Sequence, residues 1–367
     1  MFRYLFKIFW IMFFIPNLYA KDIKLSDRGV NGNGVFDNWK IIQQAVDEIA
    51  NSGGGKLIFP KGKFAIYNKS IVIWGDKVEF IGDKNGGTEI IKKGNVGYFG
   101  DCIDIAGKIN GYHYYGEFGT GDYDKRKIYH GKTIPVKNVT LRNINISSDL
   151  SDKTNKYFVA NNLGIINAEN VKIINCKIQN APQTNVAIVN DTNQFRNLNI
   201  SFENCEFTGS EQHNVRVISY NKGSILGNTI SFDGCKFKNV KGKDINQKEI
   251  KNETLNLWYR GIGTEKNNML QITNCFFDET GYIFVNGQYA NFIMSGSTVN
   301  NALVFQLNTS KGKSNIQIVN SQFNKKGNFK TILQAKVKLN KEKKFKNPFK
   351  ETEFGIIYPS ILKYSFR

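Results

Sequence analysis

The sequence predicts an all-β fold: a right-handed single-stranded parallel β-helix with an N-terminal capping α-helix. Three observations predict this fold. A strand–turn–strand phrase recurs along the chain, one slot of that phrase keeps small side chains, and an amphipathic helix followed by glycines stands near the N-terminus. Long helical periodicity does not occur in the repeated region, which excludes a helical solenoid.

The recurring phrase is a short apolar–polar alternation, then an Asn or Gly, then a second short alternation. Alternation with a period of two indicates β-strands that face the core at every second residue. The copies begin at Val139, Val171, Ile200, Ile230, Leu270, Phe292 and Ile316. Because one coil cannot bury its inner face alone, we expect successive copies to stack as a solenoid.

The position directly after the turn residue gives the length of the repeat in residues. It is held by Cys176, Cys205, Cys235, Cys275, Ser297 and Ser321, at steps of 29, 30, 40, 22 and 24 residues. About 22 residues make one coil of three short strands, and longer steps leave room for loops. Parallel strands lie about 4.8 Å apart, whereas disulfide Cβ atoms lie about 3.8 Å apart. We therefore expect stacked thiols rather than disulfides.

An amphipathic helix is predicted over residues 37–51, with Asp37 as its N-cap. Its apolar stripe consists of Ile41, Ile42, Ala45, Val46 and Ile49. The glycines 53–55 end the helix, and a strand begins at Leu57. A solenoid needs its open end covered, and we expect this helix to cover it.

This N-terminal segment resembles the opening of the pectate lyase superfamily, with its glycine turn, capping helix, glycine stop and Pro-x-Gly strand. The matching residues are Gly32, Gly34, Asp37, Ala45, Gly53, Gly54, Gly55, Pro60 and Gly62, while Asn33 stands where the family usually has Asp. The resemblance implies a β-helix. For activity it implies a broad class of lyases, hydrolases, epimerases, phage tailspikes and non-catalytic proteins. The acidic motifs of the polygalacturonase-type hydrolases are not found in the sequence.

Residues 1–20 are predicted to be a signal peptide, because Arg3 and Lys7 precede the apolar run 8–15 and Ala20 suits cleavage. Leu18, rather than Ala, at the third position before cleavage leaves an uncleaved anchor as the alternative. We expect a secreted or periplasmic protein with no membrane span in its mature form.

Residues 21–367 are predicted to form one β-helix domain. An inserted loop is expected at 107–132, and a C-terminal cap or tail at 328–367, where the sequence departs from the repeat. The oligomeric state is left open.

The formal net charge is +19, of which Arg3 and Lys7 supply two. Such an excess favours polyanionic partners. Export favours an acidic polysaccharide, or an anionic lipid surface, over nucleic acid. The alternative is a solvated lysine-rich surface, with a C-terminal cluster at Lys341, Lys343, Lys344, Lys346 and Lys350.

A candidate site is expected on one outer face of the solenoid. Three successive coils align on shared asparagines, namely Asn185, Asn214 and Asn256. Val186, Val215 and Leu257 should then point inward. The outward positions are Ala187, Arg216 and Trp258, followed two places on by Val189, Ile218 and Arg260. His213 has the inward parity, so placing it on this face requires a bend at Asn214.

These residue types suit sugar chemistry. Arginine holds a uronate carboxylate bidentately, aromatic rings stack on pyranose rings, and His or Glu can move a proton near neutral pH. The predicted catalytic residues are His213, Arg216, Glu211 and Arg260, and the predicted substrate-binding residues are Trp258, Glu253, Tyr115 and Tyr129. The alternative is that the asparagines form a turn ladder, capped by His213, beside solvated charges.

Tyr115 and Tyr129 belong to the tyrosine-rich loop 107–132, and loops of that length are usually functional or disordered. Asp122 and Asp124 in the same loop are too few to predict a calcium loop, so calcium is left open. No spacing of cysteine and histidine predicts zinc. We expect neither a metal site nor a cofactor.

Together these features predict a carbohydrate-active protein that acts on an acidic polysaccharide. The predicted activity is that of a polysaccharide lyase or of a related hydrolase or C5-epimerase. The alternative is a non-catalytic glycan-binding protein or surface adhesin of the same fold.

Overall fold

The computed structural model describes residues 20–67, 69–95, 101–109, 133–152, 161–190, 198–219, 229–240, 255–261, 269–278, 282–287, 291–300, 304–308, 316–324, 330–334 and 338–339. The predicted signal peptide before residue 20, most of the predicted loop 107–132 and the chain after residue 339 lie outside these ranges. Among the described residues, none of the helices has the length and apolar character needed to span a membrane.

The described strands form three parallel sheets. Sheet A contains Ile23–Lys24, Gly55–Ile58, Val78–Ile81, Val136–Lys137, Thr140–Arg142, Ala168–Ile174, Leu198–Glu203, Thr229–Asp233, Met269–Thr273, Asn291–Ser295, Ile316–Val319 and Lys338–Leu339. Sheet B contains Gly62–Tyr67, Thr88–Asn95, Asn145–Asp152, Lys177–Gln179, Glu206–Thr208, Lys236–Lys238, Phe276–Asp278, Thr298–Asn300 and Gln322–Asn324. Sheet C contains Ile71–Ile73, Ile103–Ala106, Asn161–Ile166, Thr184–Asn190, His213–Ser219, Leu255–Gly261, Tyr282–Gly287, Val304–Asn308 and Lys330–Gln334.

The chain visits sheets A, B and C in turn and then begins the next coil, so each strand pairs with its equivalents in the neighbouring coils. This order confirms the predicted all-β parallel β-helix with three strands per coil. A short antiparallel pair, Lys108–Ile109 with Thr133–Ile134, joins the two ends of the predicted insertion.

The core is built from rows of similar side chains that stack from coil to coil. Phe202 and Phe232 pair in register, and their rings stack with centroids 4.9 Å apart. Phe237 and Phe277 stack in the same way at 4.4 Å. All four rings are buried. Offset or stacked aromatic contacts add to the free energy gained by burying their area.

The predicted cysteine row lines up beside this core. All five cysteines are buried and carry free thiols. Cys205 Sγ donates to the carbonyl oxygen of Ile173 at 3.3 Å, and Cys275 N donates to Ser297 Oγ at 3.0 Å. The stacking of these small residues confirms the repeat register on which the predicted solenoid depended.

The Asn or Gly of each phrase turns the chain from sheet A to sheet B. These residues have positive φ: Asn143, Asn175, Asn204, Gly234, Asn274, Gly296 and Asn320. Only Gly adopts this left-handed conformation without strain, and Asn tolerates it better than most other residues. The conformational requirement explains why the repeat admits these two residue types at one position.

The capping helix, α1, runs from Trp39 to Asn51, beginning two residues later than the sequence predicted. The Asp37 carboxylate accepts hydrogen bonds from Trp39 N at 3.0 Å and Tyr67 N at 3.2 Å. Asp37 therefore ties the helix start to sheet B, and Asn38 takes the N-cap position. A single 3₁₀ turn, Leu25–Arg28, precedes the helix.

The helix covers the open edge of sheet C. The side-chain amide of Gln43 accepts from Val72 N at 2.8 Å and donates to Val72 O at 3.1 Å. Trp39 Nε1 donates to Ser70 O at 2.7 Å. These bonds satisfy backbone groups that would otherwise be exposed at the sheet edge.

Candidate functional site

The outer face of sheet C brings together residues that are far apart in the sequence. One outward row runs through Val72, Asp104, Gly164, Ala187 and Arg216, and the strand register aligns it with Trp258, Phe284 and Gln306. The neighbouring inward positions Val186 and Val215 are fully buried. The register pairs Ala187 with Arg216, and Arg216 with Trp258. It also pairs Ile218 with Arg260, as the alignment on asparagines predicted.

An asparagine ladder lies at the corner between sheets B and C. Asn162 Nδ2 donates to Asn185 Oδ1 at 3.0 Å, and Asn185 Nδ2 donates to Asn214 Oδ1 at 2.8 Å. Asn185 Nδ2 also donates to Thr208 O at 2.9 Å, and Asn214 Nδ2 donates to Lys238 O at 2.8 Å. The ladder foreseen as an alternative is therefore present at Asn185 and Asn214. It is buried and does not occupy the outer face.

The residue before each ladder asparagine aligns with a position that reaches the outer face in an earlier coil. Asp101 holds that position, followed by Cys102 instead of an asparagine, and its Oδ2 lies over Gly164 of the outward row. Asn161 donates to Asp101 Oδ1 from both N and Nδ2, each at 2.9 Å. Thr184 and His213 hold the same position in the next two coils. This alignment supports the bend expected at Asn214, which stays a prediction.

Glu211, His213 and Arg216 lie close together in one coil. Glu211 is 4% exposed, His213 is 6% exposed and Arg216 is half-buried. The backbone amide of His213 donates to Gln183 O at 3.1 Å, and that of Glu211 donates to Ala181 O at 2.9 Å. These bonds fix the segment against the preceding coil.

The imidazole of His213 is neutral over the physiological pH range. Burial, followed by the positive charge of Arg216, lowers the pKa of His213 to about 3. The sequence suggested proton transfer by His213 or a glutamate near neutral pH. An imidazole with so low a pKa is a weak proton acceptor, and a hydrogen-bonding role suits it better.

The other predicted site residues are placed only in part. The register puts Trp258 beside Arg216, and Arg260 two positions further along the same strand. Their side chains, and the residues Glu253, Tyr115 and Tyr129, lie outside the described part of the structure. The catalytic and substrate-binding assignments stay predictions. Among the described residues, no group of three or more His, Cys, Asp or Glu side chains is placed to hold a metal ion.

Sequence reasoning missed a buried acid pair, of which Asp104 lies in the second strand of sheet C and Asp101 lies just before that strand. An ideal Cβ on Gly164 would lie 2.3 Å from Asp101 Oδ2 and 2.4 Å from Asp104 Oδ1, so both oxygens sit over this glycine. Lys92 approaches from sheet B, and its Nζ donates to the backbone oxygen of Asp101 at 2.9 Å. All three side chains are at most 9% exposed.

Burial raises the pKa of both carboxyl groups. Burial raises the pKa of Asp101, although the hydrogen bonds from Asn161 oppose this rise. Burial and the neighbouring Asp101 raise the pKa of Asp104 well above its ordinary value. Asp104 therefore holds a proton more readily than Asp101. Burial also lowers the pKa of Lys92.

A signal for this pair was present in the sequence. The strand Ile103–Ala106 carries a single acid, Asp104, among apolar residues, and Asp101 lies three residues before Asp104. A carboxylate in a strand with buried neighbours needs a partner. Nothing in the sequence, however, identifies Lys92 or Gly164 as the neighbours.

The molecule is a parallel β-helix, and it is distantly similar to several solved structures. ORF18 of Geobacillus virus E2 is 14% identical with a TM-score of 0.49, over 88% of this chain and 62% of its own. The A-module of the Azotobacter vinelandii mannuronan C-5 epimerase AlgE4 is 12% identical with a TM-score of 0.36, over 87% of this chain and 100% of its own. A mutant tailspike of E. coli bacteriophage HK620, in complex with a pentasaccharide, is 11% identical with a TM-score of 0.48, over 87% of this chain and 59% of its own.

The chain thus spans less than two thirds of the length of the viral protein and of the tailspike. No protein-family model and no curated protein matches the sequence. Membership of the pectate lyase superfamily therefore stays a prediction that rests on the N-terminal motif.

Proposed function

We propose that this chain is an exported carbohydrate-active β-helix that binds an acidic polysaccharide along the outer face of sheet C. Within that class we propose a polysaccharide lyase, with hydrolase and C5-epimerase as related activities on the same face. The observation that carries the proposal is the cluster of Glu211, His213 and Arg216, with Trp258 and Arg260 in the next coil by register.

The chemistry of this cluster suits a uronate. Arg216 is half-buried, so its attraction for a ligand carboxylate is less screened than that of a solvated lysine. In a β-elimination, a cation on the uronate carboxylate makes the α-proton removable by a base. Glu211 is the better candidate base, because the low pKa of His213 makes that imidazole a poor proton acceptor. The net charge of +19 favours encounter with a polyanion.

Export is part of the proposal and rests on the predicted signal peptide at residues 1–20. We propose a secreted or periplasmic location. No cofactor is included, and the assay below runs with and without calcium because the sequence left that ion open.

The proposal is tested by incubating purified residues 21–367 with a panel of acidic polysaccharides, with calcium or with a chelator. Ultraviolet absorbance of unsaturated uronates reports elimination, new reducing ends report cleavage, and NMR of the C5 configuration reports epimerisation. We expect Arg216→Ala to lower the activity at least about a hundredfold, since a charged hydrogen bond to the reacting group is lost.

The matched control is Lys236→Ala, which removes an exposed cation from sheet B. We expect it to retain activity and stability. Wild-type turnover in a folded Arg216→Ala variant would reject the proposed site. Absence of all three signals on every polymer would reject the enzymatic proposal.

A second candidate, a non-catalytic glycan-binding protein or adhesin, is favoured by the low pKa of His213 and the burial of Glu211. Neither group then needs to exchange protons with a substrate. This candidate predicts that Arg216 still governs binding. It is distinguished by retention of the polymer with no change in absorbance, reducing ends or C5 configuration.

A further inference from the structure

We propose that the protein recognises an end of the polysaccharide, and that it acts on the terminal sugars rather than along the polymer. This inference rests on the proposed function, because it takes Arg216 as the uronate site. It narrows the substrate to chain ends and short oligosaccharides. The observation that carries it is the burial of the outer face of sheet C on one side of Arg216.

The outward row of sheet C is closed up to Ala187 and opens at Arg216. Val72 is fully buried, and Asp104 and Ala187 are each 4% exposed. Arg216, in the coil after Ala187, is half-buried, so part of its surface meets solvent. Because neighbouring coils lie about 4.8 Å apart, the closed surface begins one such step from the arginine.

Gly164, between Asp104 and Ala187, does not open a passage along this row. The Asp101 and Asp104 carboxyl groups lie over Gly164 and fill the space that a Cβ would occupy. Both side chains are at most 9% exposed. A sugar held at Arg216 therefore cannot have its neighbour in the polymer at Gly164 or Ala187.

The rows on either side limit the polymer in the same direction. Towards the asparagine ladder, Thr184 is fully buried and pairs with His213, which is 6% exposed. In the other neighbouring row, Ile166 is half-buried, but its partner in the preceding coil, Ala106, is fully buried. An overhang of the polymer past Arg216 can therefore reach Ile166 and no further.

Small outward residues are not always buried in this β-helix. Ser201 and Ser231 hold outward positions in sheet A, and both keep part of their surface exposed. The burial of Ala106 and Ala187 therefore does not follow from small side-chain size alone. It marks this part of sheet C as inaccessible to a polymer.

A face that is closed on one side selects a chain end. A polymer that binds by an internal segment has to leave the site on both sides, whereas a chain end needs only one open side. Arg216 would hold the carboxylate of a terminal or near-terminal uronate. The chain would leave towards the following coil, where the register places Trp258 and Arg260. A lyase built in this way removes short products, and a binding protein built in this way captures ends.

The first test counts the molecules of purified residues 21–367 that bind one polymer chain. The probes are polygalacturonate, alginate and any other polymer of the earlier panel that binds, each prepared as short chains and as chains many times longer. Glu211→Gln keeps Arg216 and removes the candidate base, so the probe stays intact during isothermal titration calorimetry. Wild-type protein serves where no turnover occurs. We expect one protein per chain at both lengths, whereas an open groove predicts a number that rises in proportion to length.

Two variants connect this count to the site. Arg216→Ala should lose the binding of one protein per chain, leaving only the salt-sensitive attraction between the net positive charge and any polyanion. Lys236→Ala, which removes an exposed cation from sheet B, should keep it. Circular dichroism establishes that each variant folds, and the wild-type measurement that follows does not depend on any of them.

The second test follows the wild-type reaction by viscosity and by new chain ends together. Removal of sugars from an end shortens the chains slowly, so we expect viscosity to fall late and the earliest products to be short oligosaccharides. Several Arg216-dependent proteins on each long chain, or an early loss of viscosity with long products, would overturn the inference while the proposed function stands. If no polymer binds or reacts, the proposed function itself fails.

Discussion

The interior rows of this β-helix and the outer face of its sheet C follow opposite rules. Inside, one residue type recurs from coil to coil, as in the stacked phenylalanines, the cysteine row and the asparagine ladder. Outside, equivalent positions change at every coil, from Asp104 to Gly164, Ala187, Arg216 and Trp258.

The difference separates stability from function. A repeated side chain packs against its equivalent in the next coil or forms a hydrogen bond with it, so selection for stacking keeps the row uniform. A ligand that lies across several coils needs different groups at different points. The outer face also contains features that do not stabilise the fold, namely a buried histidine with a lowered pKa and a buried acid with a raised pKa. Strained or costly groups of this kind are typical of functional sites.

The largest effect is expected from breaking an interior row. Phe232→Ala removes a ring that is fully buried between Phe202 and Phe237. We expect a loss of about 3–5 kcal/mol in the free energy of unfolding, from lost burial and the cavity left behind. Urea denaturation followed by circular dichroism measures it. A loss below 1 kcal/mol would mean that the row is not continuous, as about that much separates core from surface substitutions.

The asparagine ladder should come next. Asn185→Ala removes the donor to Thr208 O and the acceptor for Ala181 N and Asn162 Nδ2. Because these buried groups lose their partners, we expect a destabilisation of about 2–4 kcal/mol. Asn199 is an exposed asparagine whose Nδ2 donates to Asn170 Oδ1 at 2.9 Å, and Asn199→Gly, which keeps its positive φ, should cost less than about 0.5 kcal/mol. Equal losses in the two variants would contradict the role given to burial.

The outer face should respond to pH rather than to lost packing. The pKa of His213 falls from 6.5 to about 3 on folding, so the unfolded chain takes up a proton before the folded one does. Its contribution to stability is complete above pH 6.5 and is lost as the pH falls from there towards 3. Between about pH 7 and pH 5 the wild type should lose about 2 kcal/mol that His213→Gln does not lose. Parallel stability curves for the two proteins would contradict the lowered pKa.

The smallest expected effect is an increase in stability. Folding raises the pKa of Asp104, so above its ordinary value of 3.8 the unfolded chain ionises more readily and the wild type loses stability. Asp104→Asn keeps a donor towards Asp101 without that loss. We expect a modestly higher melting temperature for the variant at neutral pH, with the difference vanishing near pH 4. Asp149→Asn should show no such gain. A lower melting temperature for Asp104→Asn at neutral pH would make the acid pair a stabilising feature.

The repeat could be predicted from the sequence because its causes are local. Alternation follows from the pleat of a strand, and the Asn or Gly between strands follows from the backbone angles of the turn. The alignment on Asn185, Asn214 and Asn256 then indicated which residues become neighbours, so the pairing of Arg216 with Trp258 could be predicted. The helix start was off by two residues, because Asp37 also bonds the backbone of Tyr67, a contact that local rules do not include.

The acid pair was not predicted because it depends on three segments meeting. Asp104 comes from the strand Ile103–Ala106 and Asp101 from just before it, Gly164 comes from the next coil, and Lys92 comes from sheet B. The lowered pKa of His213 was not predicted for a related reason, because the burial that lowers it arises only when the coils stack.

The sequence by itself determined the coil, its register and the order of residues along each sheet, since these follow from backbone geometry repeated along the chain. Only the tertiary structure decided the protonation of His213 and Asp104, because the free energy of a charge depends on how much water and which neighbours surround it. Those surroundings exist only once the coils have stacked.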